Sequence, residues 1–243
     1  MTLARKDESR KEFKIFHGVF DERSMMNLYQ LLGKNGITAE SIIKEGKESV
    51  ILSGLTHDKQ WVAIKVYCTK ACNFKALWKY LMGDPRFKKI GKNIRKIVNV
   101  WCQREFKNLR TARWAGVNCP KPLFFRENAL IMEFIGENNI AAPRLTDITP
   151  EYPNSVYKEV ISNLEKLVKA GLVHGDLSAY NILFYDKIYF IDFSHGTTLD
   201  NEIAPELLKR DIKNINYYFS KLNVNLIDDE ELYNKLIKFF KKK

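Results

Sequence analysis

Two polar segments separated by one short apolar hairpin constrain this chain more than any other feature. The first is His174-Gly175-Asp176-Leu177-Ser178-Ala179-Tyr180-Asn181, and the second is Ile191-Asp192-Phe193-Ser194. Between them lie Ile182-Leu183-Phe184-Tyr185 and Ile188-Tyr189-Phe190-Ile191, two runs rich in branched and aromatic residues, joined by Asp186-Lys187. Apolar runs across a two-residue polar turn predict an antiparallel hairpin. That hairpin returns Asp192 to the side of the sheet from which Asn181 departs, with Asp176 one short loop away. Any fold built on this strip has to hold two carboxylates and an amide oxygen together at one sheet end.

An amide oxygen at Asn181 and a carboxylate at Asp192 are donors suited to a hard divalent cation. Asp176 is then placed to act as base or to orient an attacking group. The order H-x-D-x-x-x-x-N, then I-D-F, is the spacing of the catalytic and metal-binding segments of protein kinases. Lys65, in Val62-Ala63-Ile64-Lys65, matches the strand motif whose lysine neutralises the α- and β-phosphates of ATP. Glu105, the one acid on a helix expected from Val98 to Trp114, is the natural partner holding that lysine. Gly46-Lys47-Glu48-Ser49 stands where a glycine-rich loop belongs, with one glycine instead of three. Met132 to Gly136 reads as the hinge, with backbone groups of Glu133 and Ile135 facing adenine. Val50, Ala63, Met132, Leu183 and Ile191 are its expected apolar walls. Ala204-Pro205-Glu206 resembles the end of an activation loop but follows Asp192 by only twelve residues. It is read as coincidence, with Pro205 in the first turn of a helix. Only 51 residues follow Asp192, so the usual helical platform for peptide substrates is expected to be missing.

The remaining chain predicts an α+β protein of two lobes, with strands first and helices later. A helix is expected from Phe20 to Leu32, stopped by Gly33, with the first strand opening at Ile42-Ile43. Trp61–Tyr67 is the clearest strand of the first half, and Leu123–Phe125 and Ala129–Met132 are two more. Helices are expected from Ser155 to Ala170 capped by Gly171, from Pro205 to Phe219, and from Asp228. The expected divisions are residues 1–40 as a helical extension, 41–134 as the first lobe with a basic insertion at about 69–97, and 135–243 as a reduced second lobe. With 45% apolar and 28% charged residues, the composition is that of a globular protein. No run approaches the roughly 20 apolar residues needed to span a bilayer. The charged N-terminus lacks the apolar core of a secretory signal, so a cytoplasmic location and no membrane partner are expected. Cys68, Cys72, Cys102 and Cys119 lack a zinc-site spacing and read as free thiols. Lys65 to Arg113 contains fourteen basic residues against Asp84 and Glu105, a local +12 in a chain of net +11. Such a concentration suits RNA or nucleotide phosphates, with Phe74, Trp78, Tyr80 and Phe87 as interleaved stacking candidates. The basic end, Lys238 to Lys243, reads as a frayed terminus.

With these motifs in place, the chain resembles the RIO family of atypical protein kinases, and within it the RIO-one type. The resemblance runs from about Val19 to Phe219. Its marks are Val19-Phe20-Asp21-Glu22, Gly46-Lys47-Glu48, Gly83-Asp84-Pro85-Arg86-Phe87, Trp101 to Leu109 around Glu105, Met132 to Gly136, Ala142-Pro143-Arg144-Leu145, His174 to Asn181, and Lys209-Arg210-Asp211. The short C-terminal end looks archaeal. The resemblance implies a small bilobal kinase fold without activation loop or peptide-binding helices. It further implies ATP with Mg²⁺ or Mn²⁺, serine autophosphorylation, ATPase activity, and maturation of the small ribosomal subunit through its RNA and proteins. On the family pattern Asp176 and Asp192 are catalytic, Asn181 and Asp192 hold the metal, Lys65 with Glu105 clamps phosphate, and Asp192 accepts phosphate transiently. The nucleotide loop, Lys44-Glu45-Gly46-Lys47-Glu48-Ser49-Val50-Ile51, is one residue shorter than the usual pattern. Ala179 replaces a common glutamate, and Phe193 and His195 vary a more usual Val and Gln. Two other readings compete: a nucleotide-gated RNA-binding scaffold with negligible catalysis, and the small kinase of tRNA threonylcarbamoyl modification, which lacks the basic insertion. The oligomeric state is not read from the sequence.

Overall fold

A computed structural model describes residues 20–69, 83–84, 86 and 93–241. Most of the expected insertion, including Phe74, Trp78, Tyr80, Phe87, Lys88, Lys89 and Lys92, lies outside the described residues, as do the first nineteen. The described residues open with helix α1, Glu22–Asn35. Asp21 caps it by accepting the Ser24 N–H at 3.1 Å, satisfying one of the orphan donors of a helix start. The helix continues through Gly33 and ends at Gly36, which adopts φ 61°, a left-handed conformation that costs glycine little.

Strands β1 (Ile37–Glu45), β2 (Ser49–Thr56), β3 (Trp61–Tyr67), β4 (Pro122–Arg126) and β5 (Ala129–Glu133) form one sheet in the order β1-β2-β3-β5-β4. Every neighbouring pair is antiparallel. β1 thus begins at Ile37, earlier than the Ile42 expected. The boundary drawn at residue 40 falls inside this strand, and Gly36 marks the actual change from helix to sheet. Two irregularities in the β1–β2 register, at Ala39/Ser41 and Ile42/Lys44, obscure the period-two signal by which a strand is read.

One face of the sheet is covered by α1. Met25, Leu28, Leu31 and Leu32 pack with Val50, Leu52, Val62, Ile64, Val66, Ala129 and Ile131 into a single apolar cluster. Burial of each large side chain there contributes roughly 1.5–3 kcal/mol. Helix α2, Ile94–Trp114, is capped by Asn93 and starts one turn earlier than Val98. Its Ile97, Val98, Trp101, Leu109 and Ala112 belong to a second, larger core. That core is completed by α3 (Pro153–Lys169), α4 (Ala204–Ser220) and α5 (Asp229–Ile237), with the short strands β8 (Leu172–Val173), β9 (Ile182–Phe184) and β10 (Ile188–Phe190). The small strands β6 (Gly136–Glu137) and β7 (Ile140–Ala141) form a hairpin just after the hinge. β11 (Thr197–Thr198) pairs with β8. The Ala204-Pro205-Glu206 tripeptide opens α4, with proline in the first turn. Among the described residues, no helix is long and apolar enough to cross a membrane.

Candidate active site

The cleft between the five-stranded sheet and the helical part encloses about 330 Å³. Its ceiling follows from strand register. Residues paired across neighbouring strands present side chains to the same face, and Val50 pairs with Val66 while Leu52 pairs with Ile64, all in the core under α1. Ile51 instead pairs with Lys65, and Ala63 pairs with Met132, on the opposite face. Ile51, Ala63, Lys65 and Met132 therefore line the cleft with Ile43, and Val50 does not. The shortened loop between β1 and β2 had hidden this parity. Leu183 and Ile191 line the cleft from below, and Glu133, Phe134 and Ile135 close its back. The Ile135 carbonyl accepts the Ala142 N–H at 2.9 Å. Gly136 sits at φ 145°, and a Cβ there would lie 2.2 Å from the Ile140 carbonyl oxygen, so only glycine fits the tight post-hinge turn.

A second hollow opens beneath the β1–β2 turn, bounded by Lys44, Gly46, Lys47, Glu48, Ser49, Lys65, Asp192 and Ser194. It adjoins the first at Lys44, Ile51, Lys65 and Asp192. The continuous space thus has an apolar end at the hinge and a charged end at Asp192.

Lys65 organises the charged end. Its ammonium lies 2.9 Å from Glu105 Oε1 and 2.9 Å from Asp192 Oδ1. The other Glu105 oxygen accepts the Tyr67 hydroxyl, an arrangement that the i, i+2 spacing of Lys65 and Tyr67 on β3 makes available. Burial opposes the charge on Lys65, yet Asp192 and Glu105 hold its pKa well above the usual lysine range. For Asp192, burial pushes upward but Lys65, the Ser194 hydroxyl at 2.6 Å and His195 overcome it, leaving the carboxyl well below the usual range. It is therefore an anion at neutral pH. For Glu105, burial is the largest influence, and its pKa stays raised despite Lys65.

The hairpin read from the sequence is present: β9 and β10 pair Ile182 with Phe190 and Phe184 with Ile188. The Ile191 N–H donates to the Asn181 carbonyl at 2.9 Å, so Asn181 and Asp192 leave the same hairpin end. Asp192 takes φ 62°, ψ 66°, a left-handed conformation that costs a non-glycine residue on the order of 1–3 kcal/mol and concentrates at functional sites. The Asn181 amide nitrogen donates to the Asp176 carboxylate at 3.0 Å and to its backbone carbonyl at 2.8 Å. That leaves the amide oxygen available to a cation. Burial is the largest influence on Asp176 and raises its pKa.

The loop carrying Asp176 is anchored from below by a residue with no role assigned from the sequence. Asp211, fully buried on α4, accepts the N–H groups of Gly175 and Leu177, each at 2.8 Å. Arg210 donates to the Gly175 carbonyl. Gly175 has φ 77°, and a Cβ there would meet the His195 carbonyl oxygen at 2.8 Å. The Lys209-Arg210-Asp211 motif carried this signal, without indicating what it touches.

The donor set fits a hard divalent cation: one charged and one neutral oxygen ligand facing a cleft where phosphate oxygens and water can complete the shell. Among the described residues no group of three or more His, Cys, Asp and Glu side chains is arranged to hold a metal. Lys44 and Arg144, quoted in motifs of the sequence but given no role there, add positive charge along the cleft. Burial, then the nearby Arg144 charge, lowers the Lys44 pKa.

A description of the RIO domain matches residues 50–232. Among curated relatives, the RIO-type serine/threonine-protein kinase Rio1 of Haloferax volcanii is 36% identical over 224 residues, covering 91% of this chain and 77% of that protein. The protein of the same name from Methanocaldococcus jannaschii is 39% identical over 218 residues, with 88% and 74% covered. Among solved structures, the Rio2 kinase–ADP/Mg²⁺–phosphoaspartate complex from Chaetomium thermophilum superposes with a TM-score of 0.70 at 20% identity. It covers 90% of this chain and 66% of that one, a likeness of fold.

Proposed function

The chain belongs to the RIO family of serine/threonine protein kinases, and from that membership we propose that it moves the γ-phosphate of ATP at Asp192 and Asp176. Kinase chemistry brings ATP and a divalent metal; Mg²⁺ (or Mn²⁺) is the ion that suits two protein oxygen ligands plus phosphate. One observation carries the site assignment. Lys65, Asn181 and Asp192 meet at the charged end of a cleft whose other end is apolar, with Asp176 bonded to Asn181.

In this reading Ala63, Ile51, Met132, Leu183 and Ile191 enclose adenine, and the backbone at Glu133 and Ile135 lies alongside it. Gly46, Lys47, Glu48 and Ser49 cover the triphosphate. Lys65, held by Glu105, neutralises phosphate charge. Asn181 and Asp192 hold the metal, which supplies charge neutralisation at the phosphates when bound. Asp176 orients the attacking hydroxyl and takes its proton, as a positioned carboxylate does in phosphoryl transfer. Because little more than positioning is required, the same site serves transfer to serine, or to Asp192 itself followed by hydrolysis. The latter makes the protein an ATPase switch.

The expected setting is the cytoplasm and the precursor of the small ribosomal subunit, with the +12 segment between Lys65 and Arg113 suited to its RNA. Incubation with γ-labelled ATP tests the chemistry. Wild type is expected to take up label or release phosphate, whereas Asp176→Ala and Asp192→Asn do neither. Acid-stable label identifies phosphoserine, and hydroxylamine-labile label identifies an acyl phosphate. A folded wild type that neither labels itself nor hydrolyses ATP refutes the assignment.

A further inference from the structure

The Gly83-Asp84-Pro85-Arg86-Phe87 motif has no part in the site described above, yet Asp84 is fully buried. It faces two guanidinium groups. Arg86 Nε lies 2.9 Å from Asp84 Oδ1, Arg86 Nη2 lies 2.6 Å from Oδ2, and Arg104 Nε lies 3.3 Å from Oδ2. The Arg86 N–H also donates to Oδ1, at 3.0 Å, so the turn folds around its own carboxylate. Arg86 Nη1 donates to Asn108 Oδ1 at 2.8 Å.

Arg104 and Asn108 are buried on α2, and both donate to the stretch immediately after Asp192. Arg104 donates to the carbonyls of Gly196 at 2.9 Å and His195 at 3.3 Å. Asn108 donates to Phe193 at 2.9 Å and Gly196 at 2.8 Å. Glu105, between them in sequence, turns to the other side and engages Lys65. One stretch of α2 therefore touches Asp192 from two directions: through Lys65, and through the backbone of residues 193–196. Gly83 completes the contact, since a Cβ there would lie 2.9 Å from Asn201 Oδ1.

From this geometry we infer that Asp84 and Arg86 are positioning residues: together with Gly83 they form a strut that sets the Asp192 loop through Arg104 and Asn108. The loop between Asp192 and α4 is short and carries left-handed backbone at its first residue, so it needs support from outside itself. Asp84 orients Arg104, because a buried guanidinium takes up the geometry of its carboxylate partner. Arg86 orients the Asn108 amide so that its nitrogen points at the two carbonyls.

The inference rests on Asp192 as metal ligand, and its test separates the two. Arg86→Ala, whose side chain is 24% exposed, and Asp84→Asn are compared with wild type in two measurements that do not require turnover. The first is ADP binding as a function of Mg²⁺ concentration; the second is amide hydrogen exchange of residues 193–197. The expected result is about a tenfold rise in the Mg²⁺ needed for half-maximal tight binding. ADP affinity without Mg²⁺ stays within twofold, and exchange of 193–197 speeds up by tenfold or more. If Asp84→Asn does not fold, Arg86→Ala decides alone. A lowered melting temperature with unchanged Mg²⁺ dependence and unchanged exchange overturns the inference and leaves the motif a packing element. A wild type whose ADP binding ignores Mg²⁺ refutes the metal site instead, and exchange still reports on the strut.

Discussion

Replacing Lys65 with methionine keeps much of the buried stem and removes only the ammonium. Two carboxylates then lose a charge-assisted bond of 2.9 Å each, with unequal consequences. Asp192 has a side chain 40% exposed and retains Ser194 at 2.6 Å, so water and a hydroxyl compensate it. Glu105 is fully buried and retains the Tyr67 hydroxyl on its carboxylate. Removing one member of a buried ion pair costs about 3–5 kcal/mol, chiefly through the orphaned charge. That charge has an escape, because Glu105 can take up a proton. Its pKa is already raised by burial against the opposing pull of Lys65, and removing Lys65 raises it further. A carboxyl whose native pKa exceeds its unfolded value contributes stability that is fully present below the unfolded value. That stability is lost as pH rises toward the native value, at up to about 1.4 kcal/mol per pH unit for one group. Lys65→Met is thus expected to be most damaging at pH 7, and its gap from wild type should narrow at pH 5. Urea unfolding followed by tryptophan fluorescence reads this directly. At an m-value of roughly 2–3 kcal/mol/M, a 3 kcal/mol loss moves the midpoint by about 1–1.5 M. With Glu105→Gln as the background for both members of the comparison, the gap caused by Lys65→Met should lose this pH dependence. A gap equal at pH 5 and 7, or one unchanged by the second substitution, would refute the buried-charge argument.

Asp211→Ala leaves the N–H groups of Gly175 and Leu177 without their acceptor, at about 1–3 kcal/mol for each orphaned donor, read as a lowered melting temperature together with loss of phosphoryl transfer. Because burial pushes the Asp211 carboxyl up to about 7, its own contribution should be fullest below about pH 4 and should fade as pH rises through 7, so comparing the melting curves of wild type and Asp211→Asn at pH 5 and 8 should show the gap narrowing at the higher pH. Val50→Ala should lower stability by on the order of 1–3 kcal/mol with the KM for ATP unchanged, whereas Ile51→Ala should raise KM at little cost to stability; the reverse outcome in unfolding and kinetic assays contradicts the strand parity. Gly175→Ala forces a Cβ to 2.8 Å from the His195 carbonyl oxygen at φ 77°, and calorimetry should register a loss of roughly 1–3 kcal/mol.

Sequence alone marked the residues proposed for the chemistry and their order. Lys65 was legible because it sits on a short apolar strand. Asn181 and Asp192 were legible because a two-residue turn between apolar runs forces their hairpin. Glu105 was legible as the lone acid of its helix. Each signal is local: a period of two or 3.6, a turn dipeptide, a cap. The tertiary structure decided everything that depends on what lies across a gap. The side of β2 covered by α1 put Val50 in the core and Ile51 over the cleft. Residues 127 positions apart had to meet before Lys65 could touch Asp192, and 92 positions separate Arg104 from the Gly196 carbonyl that it holds. The anchoring of Gly175 by Asp211 and the burial of Asp84 beneath α2 likewise leave no periodic trace. A buried carboxylate chooses its partner by where the packed helices and strands deliver donors, and that is settled only when the whole chain has closed around it.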